Sequence, residues 1–302
     1  MQIFDTHRFP MPLPAGHRFP ESKYKLLHDL VANSSSLRGS TELLIPVAAS
    51  AAQLHLVHTA DYVEAVEQGT VEASSWRRVG LPWSPELVHR CRRSVGGTVA
   101  AADAALSAGV AAHLAGGTHH AFRDRGEGYC VFNDAAVAVR VLQAQRRIGR
   151  AVVIDADVHQ GNGTAAIFAD DPTVFTFSIH GARNYPFRKE RSDLDVVLAD
   201  GTGDEGFMAA FRPALEAALQ RSRADLAIYV AGADPWEGDR LGRLSLGVQG
   251  LRERDRFVFE AVQARGLPVA IVMGGGYAPQ PIDTARIHLA TIELACRMWS
   301  RT

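Results

Sequence analysis

Six short apolar runs punctuate the chain: 42–48 (ELLIPVA), 110–117 (VAAHLAGG), 151–158 (AVVIDADV), 174–180 (VFTFSIH), 226–234 (LAIYVAGAD) and 269–277 (VAIVMGGGY). Stretches such as Val152, Val153 and Ile154 are continuous, apolar and largely β-branched, the pattern of a strand covered on both faces. Between the runs lie helix-length amphipathic segments at 84–107, 133–147, 206–222, 249–265 and 281–299. This alternation predicts an α/β fold, a parallel sheet with helices on both faces. The most linker-like stretch, 32–40 (ANSSSLRGS), is short and lies too early to divide the chain, so residues 1–302 read as one domain.

The polar residues fall where the apolar runs stop. The run at 110 leads into GGTHH, the run at 151 ends in DADVH, and the later ones end in SIH, GAD and GGGY. Ligands of open parallel sheets bind outside the carboxyl ends of the strands. One aspartate at a strand end is ordinarily a cap or a turn former, but five strands delivering His, Asp, His, Asp and Tyr to one edge predict a site. A period of two places Asp155, Asp157 and His159 on one side of an extended strand. Adding Asp234 gives an Asp/His/Asp set, which neutralises a divalent ion and leaves a position open for water. Such an ion lowers the pKa of water and polarises a carbonyl, so hydrolysis is the expected chemistry. The adjacent His119 and His120 supply the proton acceptor and donor that hydrolysis needs, and Tyr277 offers a phenol to an oxyanion.

Composition narrows the picture further. The 302 residues carry 32 basic and 33 acidic side chains, a formal charge of −1, so no bulk field recruits nucleic acid or anionic lipid. No apolar run approaches the roughly 18 residues of a membrane helix. No basic segment followed by an apolar core marks the first residues as a signal. Cys91, Cys130 and Cys296 are odd in number and far apart, which fits a reducing compartment and not a disulfide framework. These features predict a cytoplasmic protein without nucleic-acid or membrane partners.

At AGHRFPESKY (15–24), HTADYV (58–63), GGTHHAFRDRGEGYCVFNDAAVA (116–138), DADVHQGNGTA (155–165), FSIH (177–180), AGADP (231–235) and GGGY (274–277) the sequence resembles the zinc-dependent histone deacetylase family. It is similar also to the family's bacterial acetoin-utilisation and acetylpolyamine relatives, and HQGNG and NYPFRK most resemble the class IV branch. The resemblance implies the three-layer α/β/α arginase/deacetylase fold, with a mainly parallel sheet of about eight strands. It implies Asp157, His159 and Asp234 as ligands of Zn2+, or of Fe2+ in the same set. His120 is then the general base and acid, His119 its electrostatic aide, and Tyr277 the group that polarises the acyl carbonyl. Asp155 orients His119, and Gly128 and Tyr129 line the acyl channel. A structural K+ would be held by Asp155, Asp157, His159, Ser178 and Ile179, with the backbone of His180. The implied substrate is an N-acylated amine such as acyl-lysine, or an acetylpolyamine or other small amide; oligomeric state is left open.

Two positions depart from that pattern. Asn162 stands where many deacetylases have a second aspartate, and a neutral partner supports an imidazolium less than a carboxylate does. Tyr129 replaces a phenylalanine common on the channel wall. No rim aspartate is identifiable; Glu72 and the segment around it lie nearest. In NYPFRKERSD (184–193), Tyr185 and Phe187 are candidates for the rim with Arg188 or Lys189 outside, against the plainer reading of a solvated loop. Trp236, beside Asp234, either shapes the pocket or packs. A binuclear manganese ureohydrolase would need further bridging carboxylates; Gly161 and the single Asp of VAGADPW argue against it. A non-catalytic acyl-ligand binder would be expected to lack a ligand or the tyrosine, and neither is missing.

Overall fold

The computed structural model describes residues 1–300; Arg301 and Thr302, the end of the expected 1–302 domain, lie outside the described residues. Eight strands form one sheet among these residues: β1 (Gln2–Phe4), β2 (Glu42–Leu44), β3 (Val110–His113), β4 (Ala151–Asp155), β5 (Val174–Gly181), β6 (Leu194–Leu198), β7 (Leu226–Val230) and β8 (Val269–Val272). Their order is β2-β1-β3-β8-β7-β4-β5-β6, and every pairing is parallel. The helices are α1 (Ser22–Asn33), α2 (Ala51–Leu54), α3 (Ala60–Gln68), α4 (Ala73–Val79), α5 (Pro85–Ala108), α6 (Asp134–Ala144), α7 (Asn162–Phe168), α8 (Asp204–Ser222), α9 (Val248–Gln263) and α10 (Pro281–Trp299).

Strand periodicity divides the interior into two cores. Along β4, Val152 and Ile154 join the layer of α1, α8, α9 and α10, whereas Ala151 and Val153 join the layer of α3, α5, α6 and α7. A strand apolar on both faces therefore has helices on both. Helix boundaries follow local chemistry. Ser84 caps α5 by accepting from Leu87 N, with Pro85 at the first helical position. Asn133 caps α6 by accepting from Ala136 N.

All parallel strands point their carboxyl ends to one side, so the tails of β3, β4, β5, β7 and β8 meet there. The strands are shorter than the apolar runs. β4 stops at Asp155, so Asp157 and His159 come from a buried turn and not from an extended strand. That turn is stabilised by carboxylates in place of ladder bonds. Asp155 Oδ1 accepts from Asp157 N at 3.2 Å, Asp157 Oδ1 from His159 N at 2.9 Å, and Asp234 Oδ1 from Val158 N at 2.9 Å. Strands β1 and β6, and α1, α2, α3, α4 and α7, are additional to the predicted elements. None of the helices among the described residues is long and apolar enough to cross a membrane.

Candidate active site

The strand tails converge on a buried cavity lined by His119, His120, Gly128, Tyr129, Asp157, His159, Asp234, Gly275 and Tyr277. It continues outward into a space of about 260 Å³ bounded by Arg78, Val79, Gly80, Tyr185 and Leu241 as well. Asp134 holds the GGTHH loop in place: its carboxylate accepts from Gly117 N at 3.0 Å, Thr118 N at 2.7 Å and Thr98 Oγ1 at 2.5 Å.

The two histidines have different partners. His119 Nδ1 lies 2.6 Å from Asp155 Oδ2, His120 Nδ1 lies 2.6 Å from Asn162 Oδ1, and their Nε2 atoms are 3.1 Å apart. Burial opposes charge on His119, but Asp155 and Asp157 outweigh it and raise its pKa to about 9. Burial, the neighbouring His119 and His159 together hold the His120 pKa well below the ordinary value. The surroundings thus favour charge on His119 and the neutral form of His120.

Asp157, His159 and Asp234 are buried and offer ligand atoms that all lie within 4.8 Å of one another. His159 Nδ1 is 2.9 Å from Asp157 Oδ1 and 3.2 Å from Asp234 Oδ2. Three observations fit a divalent cation here. Asp234 Oδ2 is buried without a well-formed hydrogen bond, its one polar neighbour being His159 Nδ1 at 3.2 Å, which leaves the oxygen free to serve a cation. Burial works against charging His159, yet the flanking carboxylates overcome it and raise the imidazole to about 10, so the pocket favours positive charge. A Cβ on Gly275 would lie 2.0 Å from Asp234 Oδ2 and 2.6 Å from Asp157 Oδ2, so only glycine leaves this cradle open.

Tyr277 completes the wall. Its backbone N–H donates to Asp239 Oδ2 at 2.5 Å, and burial beside Asp234 and Asp157 keeps its phenol strongly protonated. Gly128 is required by close approach, since a Cβ there would meet His120 Cδ2 at 2.5 Å. Tyr129 sits at φ 65° with its ring 5.8 Å from that of Tyr277. Ser178 is buried opposite Asp155 in the β4–β5 register, its Oγ 3.0 Å from His180 Nδ1, and Ile179 follows it in the same strand.

Other sequence candidates lie farther from this chemistry. Glu72 caps α4, accepting from Ser74 N and Ser75 N. Phe187 is 92% exposed, Lys189 turns back onto the Asn184 and Pro186 carbonyls, and Trp236 packs into the α8/α9 core. Tyr185 does reach the cavity and donates to Glu127 Oε2 at 2.7 Å.

Lys23, Asp239 and Glu127 were not singled out from the sequence. The buried positions of α1 are Lys23, Leu27 and Val31, four residues apart, so helical period marks Lys23 as inward-facing. Its Nζ donates to the Gly275 and Gly276 carbonyls, and burial lowers its pKa to about 8 despite Asp234, Asp239 and Asp157. Asp239 and Glu127 carry no such periodic signal; only the folded loops bring them in.

A second Asp/His group, Asp5, His7 and His28, lies beyond β1. Its imidazoles stack 3.8 Å apart at 30°, with His7 Nδ1 bonded to Asp5 Oδ2 and His28 Nδ1 2.9 Å from that same oxygen.

Residues 17–292 match the family model described as "Histone deacetylase domain". The chain belongs to the histone deacetylase family. It is 46% identical over 277 residues to an uncharacterised protein of Picosynechococcus sp., covering 92% of each chain. It is 32% identical over 284 residues to the acetoin utilization protein AcuC of Bacillus subtilis, covering 86% of this chain and 73% of that one. It is 30% identical over 286 residues to histone deacetylase 2 of Arabidopsis thaliana, covering 92% and 73%. A crystal structure of an HDAC homologue from Aquifex aeolicus superposes with a TM-score of 0.84 at 24% identity, covering 97% of this chain and 83% of that one. These relatives establish the α/β deacetylase fold and support a deacetylase-type hydrolase.

Proposed function

We propose that this family member hydrolyses an N-acylated amine, an acyl-lysine peptide or a small acylated amine, in the cytoplasm as a single catalytic domain. The observation that carries the reading is one buried cavity holding the Asp157/His159/Asp234 trio, the His119–His120 pair and Tyr277. Asp157, His159 and Asp234 would hold Zn2+, with Fe2+ compatible with the same donors. That ion, when bound, polarises the acyl carbonyl and lowers the pKa of water beside it.

His120, neutral through burial, accepts the proton of the attacking water at Nε2 and returns it to the departing amine nitrogen. His119, held charged by Asp155, places positive charge where the tetrahedral oxyanion develops. Tyr277 donates its phenolic proton in a hydrogen bond to the acyl oxygen. The outer space between Tyr129, Tyr185 and Leu241 takes the acyl-bearing arm and excludes water from it. Asp155, Asp157, His159, Ser178 and Ile179 would frame a structural K+ behind the site.

The test is a deacylation panel on zinc-loaded protein: acetyl-lysine peptides, longer acyl-lysine peptides and acetylated polyamines, with Tyr277→Phe as control. Turnover on one member that collapses in the control supports the reading. Absence of turnover on every member, with one equivalent of metal bound, overturns it.

A further inference from the structure

The structure leaves one carboxylate beside the reacting groups without a part in this chemistry. Glu127, in the GEGYC loop, lies behind Asn162 on the side away from His120. Asn162 Nδ2 donates to Glu127 Oε1 at 3.4 Å while Asn162 Oδ1 faces His120 Nδ1 at 2.6 Å. The other Glu127 oxygen accepts from Tyr185 OH at 2.7 Å, and the Tyr185 ring stands edge-on to His120, 4.9 Å away at 89°. Arg125 Nε lies 4.0 Å from Glu127 Oε1. The loop itself is fixed: Gly128 N donates to Arg78 O at 3.0 Å and Tyr129 N to Val79 O at 2.8 Å.

We propose that Glu127 is a positioning residue that sets the tautomer of His120 through the Asn162 amide. This rests on the reading above, in which His120 Nε2 takes the proton. An asparagine amide has an accepting and a donating end, and its two orientations differ little in shape. A carboxylate only accepts, so Glu127 turns the NH₂ end toward itself and the Oδ1 end toward His120. An amide oxygen only accepts, so His120 Nδ1 must carry the proton and Nε2 keeps its lone pair toward the cavity. An aspartate at 162 would enforce that tautomer in either orientation. With asparagine the enforcement has to come from one residue farther out, and Glu127 is the group in contact. Its second bond, to Tyr185, prevents it from swinging away.

The experiment is a double-mutant cycle over Glu127→Gln and Asn162→Asp. It is read by 15N NMR of histidine-labelled, zinc-loaded protein, with the His120 signals assigned from His120→Gln, and by kcat and KM on the best panel substrate. Glutamine both donates and accepts, so it permits the flipped amide. Glu127→Gln is expected to shift His120 from one tautomer to a mixture and to lower kcat about tenfold, the low end for outer-sphere partners, with KM within about twofold. Asn162→Asp alone opposes two carboxylates and is also expected to lower kcat. The double variant is expected to regain the single tautomer and most of kcat, a reversal that a merely structural role does not produce. Tyr185→Phe, which frees one Glu127 oxygen, is expected to give a smaller shift in the same direction and serves if Glu127→Gln does not fold. An unchanged tautomer in Glu127→Gln, or a double variant no better than that single one, overturns the proposal. If the wild-type protein turns over no panel member, the functional reading fails, and the NMR arm still decides this one.

Discussion

Two Asp/His groups sit at carboxyl ends of strands in the same sheet, and their differences show what separates a site from a cluster. Around His159, one imidazole stands between two carboxylates, and all three are buried. Beyond β1, one carboxylate stands between two half-buried imidazoles. Asp234 Oδ2 makes no well-formed hydrogen bond although His159 Nδ1 lies 3.2 Å away, and in the other group His28 Nδ1 makes none although it lies 2.9 Å from Asp5 Oδ2, while Asp5 Oδ1 accepts from the His7 backbone N–H at 3.0 Å. The His7 and His28 rings stack, and both of their Nδ1 atoms face the same oxygen, Asp5 Oδ2. Residue types are the same and ligand atoms lie close together in both; what differs is the excess of buried carboxylate, two around one imidazole at His159 against one facing two imidazoles at Asp5.

The comparison breaks most easily at Asp234. Asn in that position removes a charge from a fully buried pair. Asp234→Asn should weaken zinc affinity by more than the 10–100-fold that outer partners cost, and turnover should vanish with the metal. Metal content after dialysis against a graded chelator reads this directly. Retention of a full equivalent would mean that these residues are not the ligand set. Tyr277→Phe should come next, with zinc retained and kcat down about 10²–10³-fold, the range for loss of one oxyanion donor. Asp155→Asn should follow at about 10–100-fold in kcat, because His119 loses the main carboxylate that keeps it charged. Steady-state kinetics on equally zinc-loaded samples ranks the last two.

The sheet was legible because β3, β4, β5, β7 and β8 are continuous apolar runs, and because all parallel strands end on one side. That second fact places the polar tails of GGTHH, DADVH, GAD and GGGY together from the sequence alone. The strands at the two margins of the sheet were harder, although β2 lies within the run expected at 42–48. QIF and ELL are three residues each, too short for periodicity, and β6 (LDVVL) is mixed because it borders solvent. The alternation argument for Asp155, Asp157 and His159 gave their proximity but not their geometry, since the strand ends at the first of them. Side-chain-to-backbone bonds from the carboxylates shape the turn that follows, and such bonds leave no period. Glu127 and Asp239 were invisible for a related reason: each acts through loops that meet only after folding.

The contrast between charged and neutral histidines sharpens with pH. His58 accepts from Asn133 N at 3.0 Å, and burial lowers its pKa to about 4; burial lowers His113 equally. A group depressed in the folded state binds its proton more readily when unfolded. Stability from these residues is therefore full above pH 6.5 and is lost as pH falls from 6.5 toward 4. Each contributes a slope of up to about 1.4 kcal/mol per pH unit. Urea midpoints of the metal-free protein from pH 6.5 to 4.5, below the range in which the raised His119 and His159 contribute a slope, should fall accordingly, and His58→Gln should flatten the slope while lowering the plateau. Midpoints independent of pH across that window would show that these histidines are hydrated.

The smallest effect tests the other half of the comparison. His28 lies on α1 five residues after Lys23, the lysine that reaches the Gly275 and Gly276 carbonyls, so any ion seated at Asp5/His7/His28 would be felt through one helix. If that cluster is only a hydrogen-bonded corner, His28→Ala removes a partly exposed imidazole from Asp5 and little else. Stability should change by less than about 1 kcal/mol, as for other partly solvated pairs. Zinc stoichiometry should stay at one equivalent, and kcat should be unaltered. A wild-type protein that binds two equivalents, falling to one in His28→Ala, would show that a single carboxylate with two half-buried imidazoles also holds a metal. Stoichiometry that stays at one in both proteins leaves the buried pair of carboxylates as the feature that distinguishes the metal site.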